Sequence, residues 1–137
     1  MHDATQSRLL RWAALVLLVQ SITLTISPAV RERAWNVDYR LSHWLGFFVW
    51  IVLMNFAHRA TVRHLPERDP YLLPAAALLS GWGLLTIWRL DEAYGLRQTI
   101  WLGVSVVVFI LALYVPKNLS FLRRYKYVLL SGGLFIT

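Results

Sequence analysis

Apolar stretches of about 20 residues recur along this sequence, each bounded by Lys or Arg, and stretches of that length match the roughly 30 Å hydrocarbon core of a bilayer. No water is available there to satisfy backbone N–H and C=O groups, so each stretch is read as an α-helix that satisfies its own. Residues 9–26 form the first span, framed by Arg8 and Arg11 on one side and by Ser27-Pro28-Ala29 on the other, where proline is expected to end the helix. A basic start, an apolar middle and small residues at Ser27 and Ala29 also fit a signal peptide. With the sequence read from Met1, a retained anchor is the expectation. Residues 41–57 form the second span, with His58 and Arg59 at its exit, and residues 72–88 the third, after a turn-like Pro66 to Pro70 segment. Ala76, Ala77, Ser80, Gly81 and Gly83 of the third span are small enough to let helices approach closely. Residues 99–115 form the fourth, stopped by Pro116, and a fifth begins near Tyr125 and reaches Thr137 after too few residues to cross. The expected fold is all-α: a polytopic transmembrane bundle of four complete spans and the start of a fifth.

Composition agrees, and it narrows the function. Hydrophobic residues are 58% of the 137 positions and charged ones 15%, which leaves little for an aqueous domain. The net charge of +7 does not point to nucleic acid, because the 14 Lys and Arg sit in short clusters between spans rather than on one face. Nine of them flank the N-terminus, the second connection and the fourth, against five in the first and third, so the N-terminus is expected in the cytoplasm. Without cysteine there is no disulfide, thiolate nucleophile or sulfur-bound metal. Past Arg11 at the edge of the first, the spans carry no charged residue, only Gln20, Asn55 and a few hydroxyls, and this disfavours a pump or ion-coupled transporter.

Candidate chemistry is confined to the helix ends. His2, His43, His58 and His64 include no pair at the i+3 or i+4 spacing of a helical metal site, so no metal is expected. His43, beside Trp44 and ahead of Phe47, Phe48 and Trp50, fits an interfacial aromatic belt; the alternative is a ligand to haem or a chlorophyll-type pigment. In the third connection, Asp91 and Glu92 are expected to pair with Arg89 or Arg97, and Arg97, with Gln98 at the start of the fourth helix, could offer a planar donor fork to a lipid phosphate. Lys117, Arg123, Arg124 and Lys126, interleaved with Phe121, Tyr125 and Tyr127, read as an orientation signal or as headgroup contacts.

From Asp69 onward the sequence resembles the opening of the FtsW/RodA/SpoVE family, the SEDS proteins of bacterial cell-wall synthesis. Asp69-Pro-Tyr-Leu-Leu-Pro74 leads into a small-residue helix closed by Gly81-Trp-Gly-Leu-Leu-Thr-Ile-Trp-Arg-Leu-Asp91. Gly95-Leu-Arg97-Gln98 with Trp101 and Gly103 looks like the Arg-Gln opening of the family's second helix, and Leu122-Arg-Arg-Tyr-Lys-Tyr127 like the opening of its third. Residues 1–68 then read as a two-helix N-terminal extension, as in some actinobacterial-type RodA members, and 69–137 as the truncated start of the family domain. The resemblance implies a bacterial cytoplasmic membrane and polymerisation of lipid II into peptidoglycan, with a class B penicillin-binding protein as partner, in cell shape or division. It implies no cofactor. The family's essential acid lies in a later extracellular loop, so no catalytic residue is assigned, the chain by itself is expected to be inactive, and only Arg97 and Gln98 carry over as substrate-binding positions. The alternative is a non-catalytic accessory subunit of a larger membrane complex, in which His43 is the candidate contact to a pigment or redox group.

Overall fold

A computed structural model describes residues 2–114, with the side chains of residues 2 and 3 left aside. It contains four helices: α1 (His2–Glu32), α2 (His43–His64), α3 (Leu72–Leu90) and α4 (Glu92–Tyr114). All four are long and apolar enough to cross a membrane. The expected fifth span and the basic residues Lys117, Arg123, Arg124 and Lys126 lie outside the described residues.

Four helix boundaries differ from the sequence reading, the first being the start of α1 at His2 rather than at residue 9. Pro28 lies inside α1 rather than ending it. A proline costs the helix one N–H donor, a loss that transmembrane helices tolerate. The stop comes five residues later, where Arg33 adopts a left-handed φ of 51° and the Ala34 N–H reaches back to the Ala29 carbonyl at 3.2 Å. That six-to-one bond around a left-handed residue is a Schellman cap, here built without glycine. His58 and Arg59 lie within α2, which runs on to His64. The charged segment before the fourth span is mostly helical, since α4 starts at Glu92. Asp91 alone separates α3 from α4: its backbone is extended, and its Oδ1 accepts the N–H groups of Ala93 at 2.7 Å and Tyr94 at 3.1 Å, the N-cap arrangement.

Successive helices run antiparallel. α2 and α3 occupy the middle of the bundle, with the closest packing between α1 and α3, between α3 and α4 and between α2 and α4. Lipid tails are as apolar as leucine, so these contacts gain from close packing and hydrogen bonding rather than from escaping water. Two tryptophans occupy the places where backbones come nearest. Trp50 of α2 lies against Gly81 of α3 and donates its indole N–H to the Ala77 carbonyl at 3.0 Å. Trp88 of α3 is held between Gly46 of α2 and Gly95 of α4, and its N–H donates to Thr99 Oγ1 at 3.0 Å. Of the small residues in the third span, Ala77 and Gly81 are buried at these contacts, while Ala76 and Gly83 are exposed.

Candidate functional site

At one end of the bundle the C-terminal ends of α1 and α3 meet the N-terminal ends of α2 and α4, and most polar side-chain contacts between helices gather there. Glu92 Oε1 accepts from Ser42 Oγ at 2.6 Å, from Arg40 Nη2 at 3.1 Å and from Arg40 Nε at 3.2 Å. Glu92 therefore pairs with Arg40, 52 residues earlier, and not with Arg89 or Arg97 as its position suggested, because the cap at Asp91 turns α4 back beside the start of α2. Asp91 spends its carboxylate on that cap rather than on an arginine.

His43 is buried, 4% exposed, where α2 meets α1. Its Nε2 lies 3.0 Å from the Ser21 carbonyl oxygen and 3.2 Å from Thr25 Oγ1. A carbonyl can only accept, so Nε2 carries the hydrogen in this arrangement and the lone pair of the neutral ring is on Nδ1. Thr25 also accepts the Trp44 indole N–H at 3.1 Å, which ties the first turn of α2 to α1 twice.

Arg97 and Gln98 lie in the second turn of α4, not at its start, and both are exposed. Gln98 lines a shallow groove between α3 and α4 of about 300 Å³, beside Gly83, Ile87 and Trp101; Arg97 lies outside that lining. Adjacent helical residues point about 100° apart, so the pair does not converge on one cavity.

The sequence reading counted Arg31 and Arg40 only as orientation charges and Arg89 also as an ion-pair candidate, yet the three line one cavity of about 190 Å³ with Ser27, Ser42 and His43. No carboxylate lines it. The signal was available in that all three arginines stand at span ends on the same side of the membrane. At the opposite end, Arg68 is also more than an orientation charge: it is buried, and donates from Nε to Gln6 Oε1 and from Nη1 to the Leu65 carbonyl at 3.0 Å. Among the described residues no three His, Cys, Asp or Glu side chains converge as a metal site would require.

Comparison with known proteins identifies relatives along nearly the whole chain. The peptidoglycan glycosyltransferase RodA of Mycobacterium leprae is 34% identical over 139 aligned positions, covering 93% of this chain and 28% of the relative. RodA of Mycobacterium tuberculosis and of Mycobacterium bovis are each 36% identical, covering 90% of this chain and 29% of the relative. Over 90% or more of its length the chain is similar to these RodA proteins. The chain spans less than a third of the length of these curated relatives and corresponds to their N-terminal part. The likeness therefore extends well beyond the stretch from Asp69 onward and takes in most of the two preceding helices. Four apolar helices with these relatives make it a multi-pass protein of the bacterial inner membrane. No model of a known protein family matches, and no solved structure matches.

Proposed function

We propose that this chain supplies the N-terminal membrane portion of a SEDS-type peptidoglycan glycosyltransferase, which polymerises lipid II together with a class B penicillin-binding protein. The observation that carries the reading is the 34–36% identity to mycobacterial RodA proteins over 90% or more of the chain. In this reading residues 1–68 are the two-helix extension, residues 69–137 open the family domain, and the N-terminus is cytoplasmic. The end of the bundle that holds Arg40, His43 and Glu92 then faces outward, the side on which lipid II is polymerised. The bundle acts as scaffold: Trp50 and Trp88 lock α2, α3 and α4 together, and the helices that follow are placed against a fixed α3–α4 pair.

Within this scaffold Arg97 and Gln98 contact substrate. Arg97 has no ion pair or hydrogen bond among the described residues, so its planar fork is available to a phosphate. The test is lipid II polymerisation by the complete purified protein with its penicillin-binding partner, read as glycan chains on a gel. The wild type is expected to polymerise, and Arg97→Ala to lose at least about tenfold in rate, the loss of one charge-assisted contact. No polymer from the wild type would remove the glycosyltransferase reading; full activity in Arg97→Ala at normal membrane levels would remove the substrate role alone.

A further inference from the structure

Between α1 and α3 runs a groove of about 700 Å³ whose lining comes from those two helices alone. Val16, Val19 and Trp82 make its apolar stretch, while Gln20, Thr86 and Arg89 make its polar side. Arg89 and Leu24 also line the cavity that holds Arg31 and Arg40, so groove and cavity adjoin. An apolar trough that ends in guanidinium groups has the shape and polarity of an amphiphile with an anionic head.

Three further observations favour such an occupant. The cavity lining holds three arginines and no carboxylate, and among the described residues only Arg40 of the three has an ionic partner. Two cations standing at a membrane face without counter-ions invite a phosphate, which guanidinium binds through paired N–H groups. The Gln20 side chain makes no hydrogen bond in the described structure, and its Oε1 is buried. An amide in hydrocarbon without a partner is costly, and either end of it can turn to meet a ligand. α1 and α3 run parallel with Leu17 against Gly81, which sets Gln20 about 7.5 Å below Arg89 at 1.5 Å rise per residue. A glycerol ester below a phosphate is the group that falls at that depth.

We propose that the α1–α3 groove binds one anionic glycerophospholipid. Its phosphate lies on Arg89 and Arg31 at the mouth, a glycerol ester carbonyl meets the Gln20 amide, and an acyl chain lies along Val16, Val19 and Trp82. The site is independent of the glycosyl-transfer reading and shares no residue with Arg97 and Gln98.

The complete protein, placed in phosphatidylcholine nanodiscs doped with phosphatidylglycerol and then extracted gently, reports occupancy by native mass spectrometry. Wild type is expected to retain phosphatidylglycerol over phosphatidylcholine by about tenfold or more, the Arg31→Gln/Arg89→Gln variant to lose that preference, and Arg89→Lys to keep part of it. Thr86→Trp, which fills the trough while keeping every arginine, is expected to lower retention of both lipids. Equal retention of the two lipids by wild type would overturn the proposal, as would full phosphatidylglycerol preference in the double glutamine variant. Unchanged retention in Thr86→Trp, with displacement by inorganic phosphate, would reduce the site to a surface anion site and overturn the lipid assignment. Displacement of phosphatidylglycerol by an equal amount of a polyprenyl pyrophosphate would overturn it in favour of a different lipid class.

Discussion

Replacing Gly95 with alanine adds one methyl group at the tightest point of the α3–α4 contact. A Cβ there would stand 2.7 Å from Trp88 Cγ and 2.8 Å from Cε3, where ordinary contact begins at 3.4 Å. The indole cannot move aside toward α2, because a Cβ on Gly46 would already be only 2.7 Å from Trp88 Cδ1 on that side. Nor can it rotate freely, since its N–H is bonded to Thr99 Oγ1, which in turn donates to the Gly95 carbonyl at 2.8 Å. Overpacking of this kind costs about 1–3 kcal/mol, and the better helix propensity of alanine returns about 0.5–1 kcal/mol. A net loss of about 1–2 kcal/mol is expected, close to a tenfold fall in the ratio of folded to unfolded protein. The measurement is reversible unfolding of the purified protein in mixed micelles by titrated SDS, followed by circular dichroism. Gly83→Ala and Gly103→Ala are the controls, since a Cβ at either has nothing within 4 Å, and both should leave the midpoint unchanged or raise it. In a Trp88→Ala background the cost of Gly95→Ala should vanish, because the ring it strikes is gone. Equal midpoints for Gly95→Ala and Gly83→Ala would refute the argument, and so would a cost that survives removal of Trp88.

Three other substitutions probe the remaining ties. Gln6→Ala removes one acceptor of the buried Arg68 guanidinium and should cost about 1.5–3 kcal/mol in the same titration; no change would mean that this pair does not hold the end of the bundle. Arg33→Gly should stabilise by about 1 kcal/mol by relieving a left-handed residue, and a lower midpoint would argue against the Schellman cap. Thr25→Val keeps the shape but deprives Trp44 of its acceptor, with an expected loss of about 1 kcal/mol and a changed Trp44 fluorescence; retention of both would show that the packing alone sets α2 on α1.

The spans were legible because length and apolarity are one-dimensional properties. Four runs in the sequence became four helices, each at nearly its expected place. Helix ends were harder, since a cap depends on geometry that composition does not carry. Proline at position 28 gave the ordinary stop signal, but the actual stop is a left-handed arginine, a residue with no turn preference. The run from Arg89 to Gln98 looked like a loop because it is charged, whereas one aspartate in the right conformation sufficed to end one helix and start the next. Small residues announced close approach in α3, but which of them serve depends on the rotation of the helix: Ala77 and Gly81 face the bundle, while Ala76 and Gly83 do not. Pairings across the chain, such as Arg40 with Glu92 or Arg68 with Gln6, needed the fold before they could be seen.

The single-residue hinge at Asp91 also bears on how the protein is made. α3 and α4 leave no aqueous segment between them for the translocation machinery to thread separately; in the proposed orientation, with the N-terminus cytoplasmic, what must traverse the bilayer is the bend itself, with Arg89, Asp91 and Glu92. The two helices therefore enter the lipid as one hairpin. Asp91 satisfies the first N–H groups of α4 within that hairpin, so this polar bend can pass through an apolar medium with fewer of its backbone groups bare. A residue that reads as a connection in the finished bundle is, during synthesis, the leading edge of two spans.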